Sequence, residues 1–284
     1  MVTIVKANGE SVLFDRKKAI YSCSRSGASE GDVEVVLNKV ENQLRDGMTT
    51  KQIKGIILSE LRKLDKHSAR RYLLREAVAK MDPGTHQFEM YIANMFKYYG
   101  YKTVWEPKPK PMGYCTDHEI DVSIEKDGVL EFIECKHHQS FHRFTGLPVS
   151  MIVWAVLEDL EEGYKVRKKN SYPFVHARMI TNTKVSMHAI QYANGKNIKL
   201  VGWNYPKGKG LNDLIEKSGA YPLNLLIGLN NGIVDKLFAK GIYDTMKFQE
   251  ADDDLIVSCG VPLNKISNLK SVAKGLKESL KKNL

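Results

Sequence analysis

His118-Glu119-Ile120-Asp121-Val122 and Phe132-Ile133-Glu134-Cys135-Lys136 are the two stretches on which the fold of this chain turns, and Asp127-Gly128 lies between them. Both flanks are rich in β-branched and aromatic residues, which predicts strands. Asp-Gly supplies the positive φ that a two-residue type I′ turn needs, so the whole reads as a β-hairpin. With that loop and no bulge, Lys126 faces Val129. Counting outward puts Asp121 opposite Glu134 and Glu119 opposite Lys136. All four side chains then point to one face, because strand side chains alternate with period two. Opposed carboxylates roughly 5 Å apart at Cβ repel each other, so packing gains nothing from the Asp121–Glu134 pair. A hard divalent cation would explain it.

The chain has 284 residues, which predicts two or three domains. Its 43% hydrophobic and 27% charged residues are those of a soluble globular protein. No apolar run reaches the roughly 18 residues of a membrane span. The opening Met1 to Glu10 has neither a basic nor an apolar leader segment. Cys23, Cys115, Cys135 and Cys259 are scattered without a C-x-x-C pair, which argues against zinc and for a reducing, cytoplasmic compartment. The net charge of +10 suits a polyanionic partner.

Residues 1–82 read as a first domain. Val2 to Val5 and Ser11 to Phe14 are short strands about an Asn8-Gly9 turn, and Asp15 caps a helix starting at Arg16. Further helices are expected near 31–45, after Thr49 or Thr50, and over 67–80. Asp82-Pro83-Gly84 breaks the pattern. Residues 85–205 read as the next domain: a helix over 85–99 closed by Gly100, a strand over 101–105, the hairpin, a helix over 145–162, a strand over 172–180, a helix over 184–193 and a strand over 198–203. That order predicts an α/β chain with a mixed, α+β sheet flanked by helices. Residues 211–284 read as a small helical domain ending in a lysine-rich helix over 268–284.

Asp121 followed by Glu134-Cys135-Lys136 resembles the PD-(D/E)XK nuclease signature. The element order resembles that family's restriction-endonuclease-like core. Phe88-Glu89 with Met95-Phe96 and Tyr99-Gly100-Tyr101, and Thr181-Asn182-Thr183 with Ala189 and Tyr192-Ala193, resemble its Mrr-like branch. The motif's proline is absent, since Ile120 precedes Asp121. The resemblance implies that Asp121, Glu134 and the Cys135 carbonyl ligate Mg²⁺, with waters completing the octahedron. Lys136 would orient or deprotonate the attacking water. Glu89 would support the metal site from its helix. His137, His138 and His142 read as loop histidines or phosphate contacts, since their spacing matches no tetrahedral metal site. Asp117 and Glu119 read as solvent-exposed.

Val5-Lys6-Ala7-Asn8-Gly9 with Phe14-Asp15-Arg16-Lys17-Lys18-Ala19-Ile20, and Ala69 to Ala77, resemble the ATP-cone domain. The resemblance implies a nucleoside triphosphate, ATP or dATP, bound as an effector by Lys6, Lys17 and Lys18 with Asn8-Gly9 as the tight turn. Ala7 stands where the family often has a second basic residue. Near the C-terminus, two look-alike stretches with glycine-hydrophobic turns, Leu229-Asn230-Asn231-Gly232-Ile233 with Leu237 and Gly241-Ile242, and Cys259-Gly260-Val261-Pro262 with Ile266 and Leu269, resemble a helix-hairpin-helix module. Together these readings imply a Mg²⁺-dependent, restriction-type endonuclease acting on double-stranded DNA, tuned by nucleotide and working as a homodimer. The alternatives are a structure-selective nuclease such as a junction resolvase, or a non-catalytic, nucleotide-responsive DNA-binding regulator.

Overall fold

Three short strands open the chain: β1 (Thr3–Val5), β2 (Ser11–Leu13) and, after helices α1 (Arg16–Arg25) and α2 (Glu30–Gln43), β3 (Met48–Thr49). The computed structural model describes residues 2–167 and 172–278. β1 pairs antiparallel with β2 and parallel with β3, a two-residue strand with no signature of its own in the sequence. Local chemistry sets the first three helix starts. Asp15 accepts from Lys18 N at the head of α1, and Ser29 accepts from Asp32 N at the head of α2. Thr49 and Gln52 form a reciprocal capping box on α3 (Thr50–Leu64), a device contributing about 1 kcal/mol. The single helix expected over 67–80 is two: α4 (Lys66–Arg71) and α5 (Leu74–Ala79).

Packing divides the chain into two compact units, Met1–Leu74 with Asn268–Leu284, and Arg75–Ser267. The first unit buries Ile4, Val36, Leu37, Val40, Ile57 and Leu61 as one core. Arg71 lies inside it, its side chain 1% exposed. Its Nε donates to Ser26 O at 2.6 Å, Nη2 to Ser68 Oγ at 3.0 Å and Nη1 to Leu276 O at 3.4 Å. Leu276 is on α13 (Leu263–Glu278), the chain's last described helix, and the remainder of the tail helix expected over 268–284 lies outside the described residues.

The second unit is built on a five-stranded mixed sheet. After α6 (Gln87–Lys97) come β4 (Lys102–Trp105), β5 (Val122–Lys126) and β6 (Val129–Lys136). The two-residue β7 (Phe144–Thr145) leads into α7 (Leu147–Arg167), and then follow β8 (Phe174–Thr181), β9 (Lys184–Val185), α8 (Met187–Gly195) and β10 (Lys199–Val201). The strand order is β10-β8-β6-β5-β4, with β10, β8 and β6 parallel and β6, β5 and β4 antiparallel. The architecture is the mixed α+β sheet that the element order predicts. α7 starts later and runs further than its periodicity indicates, because Thr145 belongs to β7, which pairs in parallel with β9.

Phe132, Ala177, Met179 and Leu200 pack on α7 through Val153, Leu157 and Leu160. The alternate residue Arg178 points to the opposite face, its guanidinium 5.0 Å from the Phe96 ring of α6. The sheet is therefore covered on both faces, as a sheet with parallel strands requires. α9 (Leu211–Ser218), α10 (Asn231–Ala239), α11 (Thr245–Glu250) and α12 (Asp253–Ser258) complete the unit, and side chains of α6 bond to this region. Tyr91 OH donates to Ala220 O, Tyr99 OH to Leu214 O, and Asn94 Nδ2 and Tyr98 OH both donate to the buried Asp244. Of the expected look-alike turns, Gly260 adopts a left-handed conformation (φ +98°) after α12. Gly241 of the first stretch does the same (φ +80°) after α10, and Gly232 of that stretch lies in the first turn of α10.

Candidate active site and nucleotide-binding turn

The hairpin forms in the expected register. Asp127 and Gly128 have φ +52° and +75°, the two positive values of a type I′ turn. The ladder runs from Lys126↔Val129 to Val122↔Ile133, so Asp121 is next in line opposite Glu134. Two bonds fix Asp121 there: its carbonyl accepts from Glu106 N at 2.9 Å, and its Oδ2 accepts from Cys135 N at 2.7 Å. Glu119 does not reach Lys136. β5 starts only at Val122, and in the loop before it Glu119 takes Lys110 Nζ at 2.6 Å.

Glu89 enters from the first turn of α6. Its Oε2 is buried with no hydrogen-bond partner, an arrangement that leaves a polar atom unsatisfied at a cost of about 1–3 kcal/mol. Burial and the neighbouring Asp121 carboxylate push Glu89 above the usual carboxylate range. Burial, then the Asp121 and Glu89 charges, push Glu134 up to about 7 although Lys136 pulls it back. Asp121 is raised by burial against the Cys135 N–H bond and the nearby His86 and Lys136 charges. Cys135 has a buried thiol, kept protonated by burial and by the same three carboxylates, so it offers the site its backbone alone. Lys136 is exposed at the end of β6. Asp121 and Glu134 are thus adjacent across the hairpin, and both feel the charge of Lys136, as Glu134 feels that of Glu89.

Among the described residues no group of three or more His, Cys, Asp or Glu side chains makes a ready-formed metal cluster. The donor set suits Mg²⁺ or Mn²⁺ nonetheless. Mg²⁺ keeps several waters and asks for one or two carboxylates rather than a protein cage. A cation between Asp121 and Glu134 would relieve their repulsion and give the unpaired Glu89 oxygen a charge to face.

Further residues complete the surroundings. His86 precedes α6 in a left-handed conformation (φ +54°), its ring centroid 6.1 Å from that of Trp105. Non-glycine residues seldom adopt it, and such strain collects at functional sites. Asn182, fully buried, accepts from His138 N at 2.9 Å and donates to His138 O at 2.7 Å. His137 is no surface histidine. It stacks on Phe88 at 5.1 Å and its Nε2 lies 2.9 Å from Val78 O, while His142 is exposed. The loop before Asp121 is clasped to α7. Asp159 accepts from Cys115 N at 2.8 Å and meets His118 Nε2 at 2.7 Å. Burial opposes ionisation of Asp159, but these bonds outweigh it and bring it to about 2.

In the first unit, Lys6, Asn8 and Gly9 occupy the β1–β2 turn. Gly9 has φ +84°, with open space where a side chain would sit. Asn8 Oδ1 accepts from Glu10 N at 3.2 Å and so shapes the turn. Lys6 Nζ rests on Glu10 at 2.9 Å, Lys18 Nζ on Asp15 at 3.3 Å, and Lys17 is exposed. Both ion pairs are solvent-exposed and so yield easily to a multiply charged anion.

Residues 2–80 match the ATP cone domain family. An uncharacterized protein of Archaeoglobus fulgidus is 32% identical over 162 residues, spanning 57% of this chain and 87% of the relative. The crystal structure of AF1548, a protein of unknown function, superposes with a TM-score of 0.57 at 28% identity over 68% of this chain and 98% of the other. Among the described residues no helix is long and apolar enough to cross a membrane. The chain belongs to the family of the Archaeoglobus fulgidus protein, and it carries an ATP-cone domain at its N-terminus.

Proposed function

We propose that the second unit is a Mg²⁺-dependent endodeoxyribonuclease of the PD-(D/E)XK type, of the restriction kind, and that nucleotide bound to the ATP-cone domain tunes it. One observation carries the reading. Asp121 and Glu134 oppose each other across the hairpin, beside the buried, unpaired Glu89 oxygen. Asp121, Glu134 and the Cys135 carbonyl would hold the cation, which supplies Lewis acidity to the phosphodiester and the attacking water. Hydrolysis adds the water oxygen to phosphorus and expels one bridging oxygen, which must gain a proton. The Lys136 ammonium, at the exposed end of β6, opposes the charge building on the non-bridging oxygens and orients the water.

The turn at Lys6, Asn8 and Gly9 and the head of α1 at Lys17 and Lys18 would receive the triphosphate of ATP or dATP. The sequence there has no P-loop, so binding without turnover is expected. Cutting both strands of a duplex needs two sites, which a homodimer would provide. The test is incubation of supercoiled and branched DNA with the full chain in Mg²⁺, with and without ATP or dATP. Nicking or linearisation that Lys136→Ala abolishes is expected. Absence of cutting under every nucleotide condition would sink the nuclease reading.

A further inference from the structure

Charge is distributed very unevenly along the sequence after the carboxylate site. From Lys136 to Leu157 there is no Asp or Glu, and none from Gly163 to Asn212, where ten Lys or Arg occur. The segment from Lys136 to Thr145 leaves the site directly, and its backbone is pinned. Asn182 clamps both the N–H and the carbonyl of His138. Thr145 Oγ1, itself 3.0 Å from Thr181 Oγ1 and 2.8 Å from Thr183 Oγ1, lies 3.4 Å from His138 Nε2. Arg75 Nη2 donates to Phe141 O at 2.8 Å, and its guanidinium sits 4.9 Å from the Phe141 ring and 5.5 Å from the Trp203 ring.

Between these anchors the loop turns polar and cationic side chains outward. Gln139, Ser140 and Arg143 are exposed, and Phe144 is 61% exposed. Phe144 pairs across to Lys184, whose Nζ lies 5.9 Å from its ring. Burial, and the Lys136 and Arg143 charges flanking it, hold the His138 imidazole below its usual value. A rigid loop costs little ordering entropy on binding, and cations beside an exposed aromatic suit a nucleic-acid backbone.

We propose that the 139–144 loop, with Lys184, grips the backbone of a DNA duplex beside the carboxylate site, Arg143 and Lys184 contacting phosphates and Arg75 and Asn182 holding the loop in shape. This rests on DNA being the substrate of the site. Binding of a labelled duplex to the full chain, measured in Ca²⁺ over a range of salt, tests it. Each phosphate contact contributes about −0.9 to the slope of log K against log salt. Arg143→Ala/Lys184→Ala is expected to make that slope shallower by about two and to weaken low-salt binding about tenfold or more. Lys63→Ala/Lys102→Ala, which removes the same charge elsewhere, is expected to change little. Equal slopes for the two double variants would overturn the grip, and so would equally tight binding of duplex RNA of the same sequence. If the slope responds but the wild type never cuts in Mg²⁺, the grip stands and the nuclease reading fails. If the wild type cuts and the slope does not respond, the grip alone fails.

Discussion

Asp121 Oδ2 accepts the Cys135 backbone N–H at 2.7 Å, and that bond holds one carboxylate opposite another, Glu134, with no cationic side chain hydrogen-bonded to either among the described residues. Two like charges so placed repel each other, and the proposed cation would offset that repulsion. Its consequences are measurable.

Glu134 lies at about 7 in the folded chain, against about 4.3 when unfolded. An acid raised on folding keeps its proton where the unfolded chain has lost it. That stability is complete below about pH 4 and disappears as pH rises through about 7. Glu89 and Asp121, also raised, act in the same direction. Without metal, the thermal midpoint should fall between about pH 5.5 and 8, by an amount corresponding to roughly 1–3 kcal/mol. Glu134→Gln should flatten the slope, and millimolar Mg²⁺ should restore the midpoint at pH 8. A pH-independent midpoint would contradict this.

Gly163 on α7 lets the loop before Asp121 approach. A Cβ there would stand 2.3 Å from Gly113 C and 2.6 Å from Tyr114 N, both backbone atoms. Gly163→Ala should cost about 1–3 kcal/mol by overpacking and weaken divalent-cation affinity by displacing the entry to Asp121. Urea denaturation and a cation titration on the same variant check both halves.

Arg71 is the buried tie of the first unit. Arg71→Ala removes donors to Ser26 O, Ser68 Oγ and Leu276 O together and should cost about 3–5 kcal/mol. Arg71→Lys should recover little, because an ammonium lacks the planar fork. Denaturant unfolding of the full chain measures it, and a loss below about 1 kcal/mol would contradict the role.

Asp244 has no exposed surface and does two things at once. Oδ1 caps α11 through Met246 N and Lys247 N, while Oδ2 accepts from Asn94 and Tyr98 of α6. Asp244→Ala should cost about 2–4 kcal/mol, read as a fall in the unfolding midpoint.

The sequence made legible what local chemistry decides. Asp127-Gly128 could form only one tight turn between those strands, and the turn set the register that opposes Asp121 to Glu134. Gly100 and Asp15 marked helix ends because a left-handed residue and a capping carboxylate act within a few residues. What depended on distant partners was hidden. The break at Tyr72-Leu73 carries neither proline nor glycine. Glu119 was drawn away by Lys110 in a loop whose path the strand pattern does not specify. Asn182 and Arg75 lie in stretches that carry a family resemblance, yet their partners, the His138 backbone and the Phe141 carbonyl, come only with folding, as does the Trp105 ring beside His86.

The most direct measurement is a calorimetric titration of Mn²⁺ or Mg²⁺ into the full chain near pH 7. The account predicts saturable cation binding at the carboxylate site, accompanied by proton release because Glu134 must ionise, and its loss in Asp121→Asn. Absence of binding in the wild type, or equal binding in Asp121→Asn, would contradict it.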